Sequence, residues 1–127
     1  MSSSEKKTGT ASAVPRDEKI LRMIGLASKA GRLIIGAEKV VDAARSGIIF
    51  RRDGIIVVAA DAAARTKRNI AFAAEEDAIK IVEVNVDMFE LGRRIGGKGL
   101  TSAVAVIDKN MASAIAGIAG GSEDKKA

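Results

Sequence analysis

Short apolar runs alternating with amphipathic segments predict an α/β fold, a three-layer α/β/α sandwich with about four strands in one mixed sheet. Three observations carry this reading. Leu33–Ile35, Ile55–Ala60, Ile79–Val84 and Ala103–Ile107 are strand-length and bounded by turn residues. The second run, Ile55-Ile56-Val57-Val58-Ala59-Ala60, has no polar position, which suits a strand covered on both faces. Between the runs, apolar residues recur at three- and four-residue steps, the period of a helix with one buried side.

Residues 1–16 offer no periodic apolar face and predict a flexible tail; 17–119 predict a single domain, and 120–127 a second tail. The first helix starts at Asp17 and Glu18, acids favourable at a helix N-terminus. It buries Ile20, Leu21, Ile24 and Ala27, exposes Lys19, Arg22 and Lys29, and ends at Gly31 as a left-handed cap. After the strand Leu33–Ile35, a helix from Ala37 to Ser46 buries Val40, Val41 and Ala44, exposes Glu38, Asp42 and Arg45, and closes at Gly47. Arg51–Gly54 reads as a turn. Asp61 is positioned to cap a helix from Ala63 to about Glu76, with Thr66, Ile70 and Ala73 inward. Asp87 caps a short helix through Ile95 that offers Phe89 and Leu91 for packing. Gly96–Gly99 is a loop. Asp108 caps the last helix, with Met111, Ile115 and Ile118 on one side.

Composition narrows function. The chain has 127 residues, 47% of them hydrophobic, and a mean hydropathy of +0.12, which fits one globular domain. No apolar run approaches the roughly 20 residues that cross a bilayer, and residues 1–16 lack the apolar stretch of a secretory signal. No cysteine is present, consistent with a cytoplasmic location. His, Trp, Tyr and Gln are absent too. Losing His and Cys together removes the usual triads, dyads and zinc sites, so the sequence predicts no catalytic residues, no metal, no cofactor and no small-molecule substrate. Net charge is +5. Between residues 18 and 120, 16 basic residues stand against 12 acidic ones, so the excess belongs to the body. Such an excess suits either a nucleic-acid partner or a solvated surface.

One stretch imitates a nucleotide-binding loop. Gly92-Arg93-Arg94-Ile95-Gly96-Gly97-Lys98 fits G-x-x-x-x-G-K, but Gly99 follows where Ser or Thr would hold magnesium. The order is also reversed, from helix into strand. Two readings replace it: a flexible surface loop, or a loop whose Lys98 and backbone touch a polyanion. The cluster Arg65-Thr66-Lys67-Arg68-Asn69 opens a helix, where cations oppose the dipole; a solvated face and an RNA backbone contact both explain it. Glu38 and Asp42 already have a structural reason at a helix start, whereas Lys39 does not. Phe50, Phe72 and Phe89 are scattered, so no aromatic platform for stacking single-stranded bases exists. Any RNA partner would be structured and read through backbone amides, Lys, Arg and loops.

From about Glu18 to Ile118 the chain resembles the kink-turn-binding ribosomal protein family (the L-seven-Ae group), and within it the bacterial YlxQ-like proteins. The resemblance rests on Leu26-Ala-Ser-Lys-Ala-Gly-Arg-Leu-Ile-Ile-Gly36, Ala43-Ala-Arg-Ser-Gly47 and Val57-Val-Ala-Ala-Asp-Ala62. It continues in Thr66-Lys67, Glu90-Leu-Gly92 and Ala103-Val-Ala-Val106. It implies a non-enzymatic RNA-binding protein contacting structured RNA, ribosomal or other, as a monomer. In the family, polar side chains just after the glycine equivalent to Gly36 read bases beside a sharp backbone kink, and a second loop covers an extruded nucleotide. Carried over, Glu38, Lys39 and Asp42 hold the base-reading positions, and Lys98 and Leu100 lie in the covering loop. Lys67 and Arg68 would supply phosphate contacts, Gly36 and Gly97 would allow close backbone approach, and Arg32 is peripheral. Typical members carry Asn or Lys, then Glu or Gln, then Lys three residues later. Here the order is Glu38, Lys39, Asp42, which moves the donor round the helix and turns the expectation away from the standard kink-turn. Two other readings stay open: a protein–protein interaction module on the same fold, and an NTP-using enzyme acting through Gly92–Gly99.

Overall fold

The computed structural model describes residues 15–97 and 99–121. Helix α1 spans Pro15–Lys29, β1 Leu33–Ile35, α2 Ala37–Ser46, α3 Ile48–Arg51 and β2 Ile55–Ala59. They are followed by α4 at Ala64–Glu75, β3 at Ile81–Val84, α5 at Met88–Arg94, β4 at Ala103–Val106 and α6 at Lys109–Gly121.

The four strands form one mixed sheet in the order β1-β4-β2-β3. Strand β4 runs antiparallel to both neighbours, pairing Ile34 with Ala105 on one side and Ile56 with Ala105 on the other. Strands β2 and β3 are parallel, with Val57 opposite Val82. Alternation along each strand divides the core in two. Ile55, Val57, Val82, Val84, Val104 and Val106 face one side, where they pack with Ile20, Ile24, Leu91 and Ile115 from α1, α5 and α6. Ile56, Val58, Ala103 and Ala105 face the other and meet Val40, Ile49, Ile70 and Ala73 from α2, α3 and α4. The result is the expected sandwich, with β2 buried at every position.

Local signals set most boundaries. Gly31 has φ +72, and its neighbour Arg32 sends an N–H back to the Ala27 carbonyl at 2.8 Å, a left-handed helix stop. Gly47 ends α2 in the same conformation. Asp87 accepts from the Glu90 amide at 2.7 Å and Asp108 from Met111 at 2.9 Å, so both cap as expected.

Several expectations need correction. Helix α1 starts at Pro15, where a ring with no N–H fits the first turn, rather than at Asp17. Asp17 is buried, paired with Arg16 and accepting the Asn85 amide at 3.1 Å, so it ties α1 to the loop after β3. Ile48–Arg51 is a helical turn, so the turn expected from Arg51 begins at Arg52. Val41 is only half-buried, and Ala43 lies inward in its place. Phe89 is 63% exposed, while Leu91 alone packs inward. Gly120 and Gly121 belong to α6.

Candidate nucleic-acid interface

Three loops and two helix starts meet at one end of the sheet. The Gly36 amide donates to the Ala103 carbonyl at 2.9 Å, the Ala59 amide to Ser102 at 2.9 Å, and the Thr101 amide to Met88 at 3.0 Å. These bonds line up the exits of β1 and β2, the start of α5 and the entry to β4 along one rim.

Gly36 turns the chain from β1 into α2 at φ +106 and ψ 141, a region that L side chains rarely enter. Its carbonyl accepts the Val40 amide, so α2 begins immediately, and no side chain caps it. Helix α4 likewise starts at Ala63 without a side-chain cap. Uncapped first turns present N–H groups and the positive end of the helix dipole. Helix α5 is different. Asp87 caps it, and Asp61 accepts its Met88 amide at 2.8 Å. Asp61 therefore closes α5 rather than capping α4, which corrects the sequence expectation.

The loop between α5 and β4 carries positive φ at Gly96, Gly97 and Gly99. It is anchored by close contact. A Cβ on Gly92 would lie 1.6 Å from the Gly99 carbonyl oxygen, so only glycine lets helix and loop backbones touch here. The Gly97 amide returns to the Gly92 carbonyl at 3.1 Å, and buried Thr101 points its hydroxyl at the Gly99 carbonyl. Leu100 is 71% exposed on this loop.

The expected site residues separate on inspection. Gly36, Glu38, Lys39, Gly97 and Leu100 belong to this rim; Glu38 and Lys39 are exposed on the first turn of α2. Asp42 sits one turn further along. Lys98 lies outside the described residues, between Gly97 and Gly99. Lys67 is held down: its ammonium donates to the Ala60 carbonyl at 2.8 Å and pairs with Glu83 at 3.1 Å. Arg68 is exposed but turned toward the β3 edge, beside Phe72 and Ile81. Arg32 lies at the opposite end of β1, where its carbonyl accepts from Ile107.

A groove of about 500 Å³ runs between α2 and α4, lined by Glu38, Asp42 and Arg45 on one helix and Arg65, Thr66 and Asn69 on the other. The sequence marks Arg65 and Asn69 only as members of a basic cluster, not as partners of Glu38 and Asp42. Their i, i+4 spacing matches that of Glu38 and Asp42, but only the packing of α2 on α4 shows that the two rows face each other. Among the described residues, no cluster of three or more His, Asp or Glu could hold a metal, and no helix is long and apolar enough to cross a membrane.

Such an arrangement defines a small α/β/α domain with uncapped helix ends and a glycine-rich loop gathered at one end of its sheet. The sequence matches the model of the Ribosomal protein L7Ae/L30e/S12e/Gadd45 family over residues 18–116, and the chain belongs to that family. Among solved structures it is similar to a protein of unknown function from Bacillus halodurans, with a TM-score of 0.69 and 28% identity, over 79% of this chain and 95% of that one. It also shares its fold with the Giardia lamblia 15.5kD RNA binding protein, with a TM-score of 0.65 at 17% identity, covering 85% and 92% of the two chains. No curated protein matches significantly.

Proposed function

We propose that this protein is a non-enzymatic, cytoplasmic RNA-binding protein of ribosomal type, and that it grips a structured RNA with the rim around Gly36 and the loop before β4. Family membership supports RNA as the ligand class, as does the shared fold with the Giardia lamblia RNA binding protein. The observation that carries the reading is the Gly36–Ala103 hydrogen bond, because it sets the uncapped start of α2 beside the loop of residues 96–101.

In this reading, the α2 and α4 first-turn amides and Lys39 meet phosphates and base edges, while the glycine-rich loop carrying Lys98 and Leu100 lies against the RNA backbone. Glu38 and Asp42 act as acceptors from base amino groups. Arg65 joins them from across the groove. Lys67, Arg68 and Arg32 fall outside the contact, the first because Ala60 and Glu83 occupy it and the others because they face elsewhere. A bent RNA suits this rim, since a regular A-form major groove is too narrow for side chains to read.

The test is a titration of a kink-turn RNA and a duplex control at several salt concentrations. Lys39→Ala and Lys98→Ala should each weaken binding and lower the slope of log affinity against log salt by roughly 0.7–0.9. Lys125→Ala, in the C-terminal tail, should change nothing. Equal affinity for all three variants refutes the site. RNA affinity that is weak and insensitive to salt points instead to a protein-interaction module.

A further inference from the structure

We propose that two copies of this chain associate through the β3 edge and the outer face of α4, and that the dimer presents its two Gly36 rims in opposite directions. Strand β3 ends the sheet. Because the Ile56 amide reaches the Lys80 carbonyl, Ile81 and Glu83 aim their own main-chain groups at the open edge. Edge strands usually carry a charge that discourages pairing. Here that charge is Glu83, and Lys67 neutralises it at 3.1 Å.

Beside this edge lies an apolar groove of about 720 Å³ that includes Phe72, Ala71, Ala78, Ile79 and Ile81. Phe72 is 74% exposed, the most exposed large apolar side chain among the described residues. The outer stripe of α4 reads Arg68, Ala71, Phe72, Glu75, and neither Arg68 nor Glu75 joins an ion pair among the described residues. A two-fold axis between Ala71 and Phe72 brings each Arg68 to the other copy's Glu75 and each Phe72 over the other's Ala71.

The same axis, perpendicular to the sheet, runs the two β3 strands antiparallel with Ile81 near its own mate. Helix and strand therefore demand one symmetry. The interface is isologous and closes at two copies. It replaces the monomer expected from sequence and does not depend on the RNA reading. Antiparallel β3 strands point the two rims apart, so the dimer would join two RNA elements.

Sedimentation equilibrium of the full chain up to about 1 mM tests the proposal, a range that reaches even weak association. The wild type should dimerise. Arg68→Glu makes the stripe wholly acidic and Glu75→Arg makes it wholly basic, and each variant alone should dimerise at least about tenfold more weakly, because the two-fold repeats every reversed pair. An equimolar mixture of the two variants should recover wild-type association as a heterodimer. All three positions are on the surface, so the variants should keep the wild-type circular dichroism spectrum; Phe72→Asp provides a second disruption that leaves the charges in place. A wild type that stays monomeric, variants that dimerise as well as wild type, or a mixture that fails to recover each overturns the proposal.

Discussion

The amide of Gly36 donates to the carbonyl of Ala103 across 2.9 Å, and this single bond brings residues far apart in the chain to one rim. Gly36 closes an edge strand and starts a helix; Ala103 opens a central strand and ends a loop. The contact has energetic consequences that can be measured separately from RNA binding.

Gly36→Ala should lower stability by about 1–3 kcal/mol through backbone strain alone. Beyond its two chain neighbours, no heavy atom lies within 4 Å of the position its Cβ would take, so crowding by the rest of the fold contributes nothing. Urea denaturation measures the loss. Gly117→Ala, also with open space around the added carbon but inside α6, should instead be neutral or slightly stabilising. Equal effects from both substitutions would contradict the strained geometry at Gly36.

Gly92→Ala should act by sterics. Its methyl group cannot coexist with the Gly99 carbonyl, so the loop of residues 96–101 must move. A cost of about 1–3 kcal/mol is expected for such overpacking. RNA affinity should fall in parallel although no charge is lost. Unchanged amide shifts at Gly97 and Gly99 in the variant would rule out the close contact.

Asp61→Ala should expose the function of that carboxylate. Freed of its acceptor, the Met88 amide should exchange with solvent faster, and stability should drop by about 1 kcal/mol. Amides at Ala64–Thr66 should keep their wild-type exchange. Faster exchange at the start of α4, with Met88 unaffected, is the outcome that a cap on α4 would give.

Asp17→Ala should cost about 1–3 kcal/mol, because it removes a carboxylate that is only 1% exposed and accepts the Asn85 amide. Thermal melting reads the loss. A shift no larger than that of an exposed substitution such as Lys19→Ala would show that the tether is idle.

Much of this architecture is legible in the sequence because its signals are local. Gly31 and Gly47 mark helix ends through their own backbone preference, Asp87 and Asp108 cap within three residues, and the apolar run at Ile55–Ala59 declares a two-sided strand. What escapes is settled at a distance. The partner of Asp61 is Met88, and nothing near Asp61 distinguishes that bond from a cap on the adjacent helix. Asp17 meets Asn85 across 68 positions. Ile48–Arg51 is a single turn, too short for helical periodicity to register. At the candidate site, Gly36 and Lys39 stood out because a glycine before charged residues is a local pattern. Arg65 and Asn69 were visible only as part of a basic cluster, since their relation to Glu38 and Asp42 exists only once α2 packs on α4. Lys67, expected at a phosphate, is held by Ala60 and Glu83 in the fold, partners that lie too far along the chain to read locally.

The most direct measurement is amide chemical-shift mapping of the labelled protein during titration with a kink-turn RNA and a matched straight duplex. Shifts concentrated at residues 36–39, 64–66 and 96–101, larger for the bent RNA, are the predicted result. Shifts gathered instead around Arg32, Asp53 and Ile107 at the far end of the sheet, or none with either RNA, contradict it.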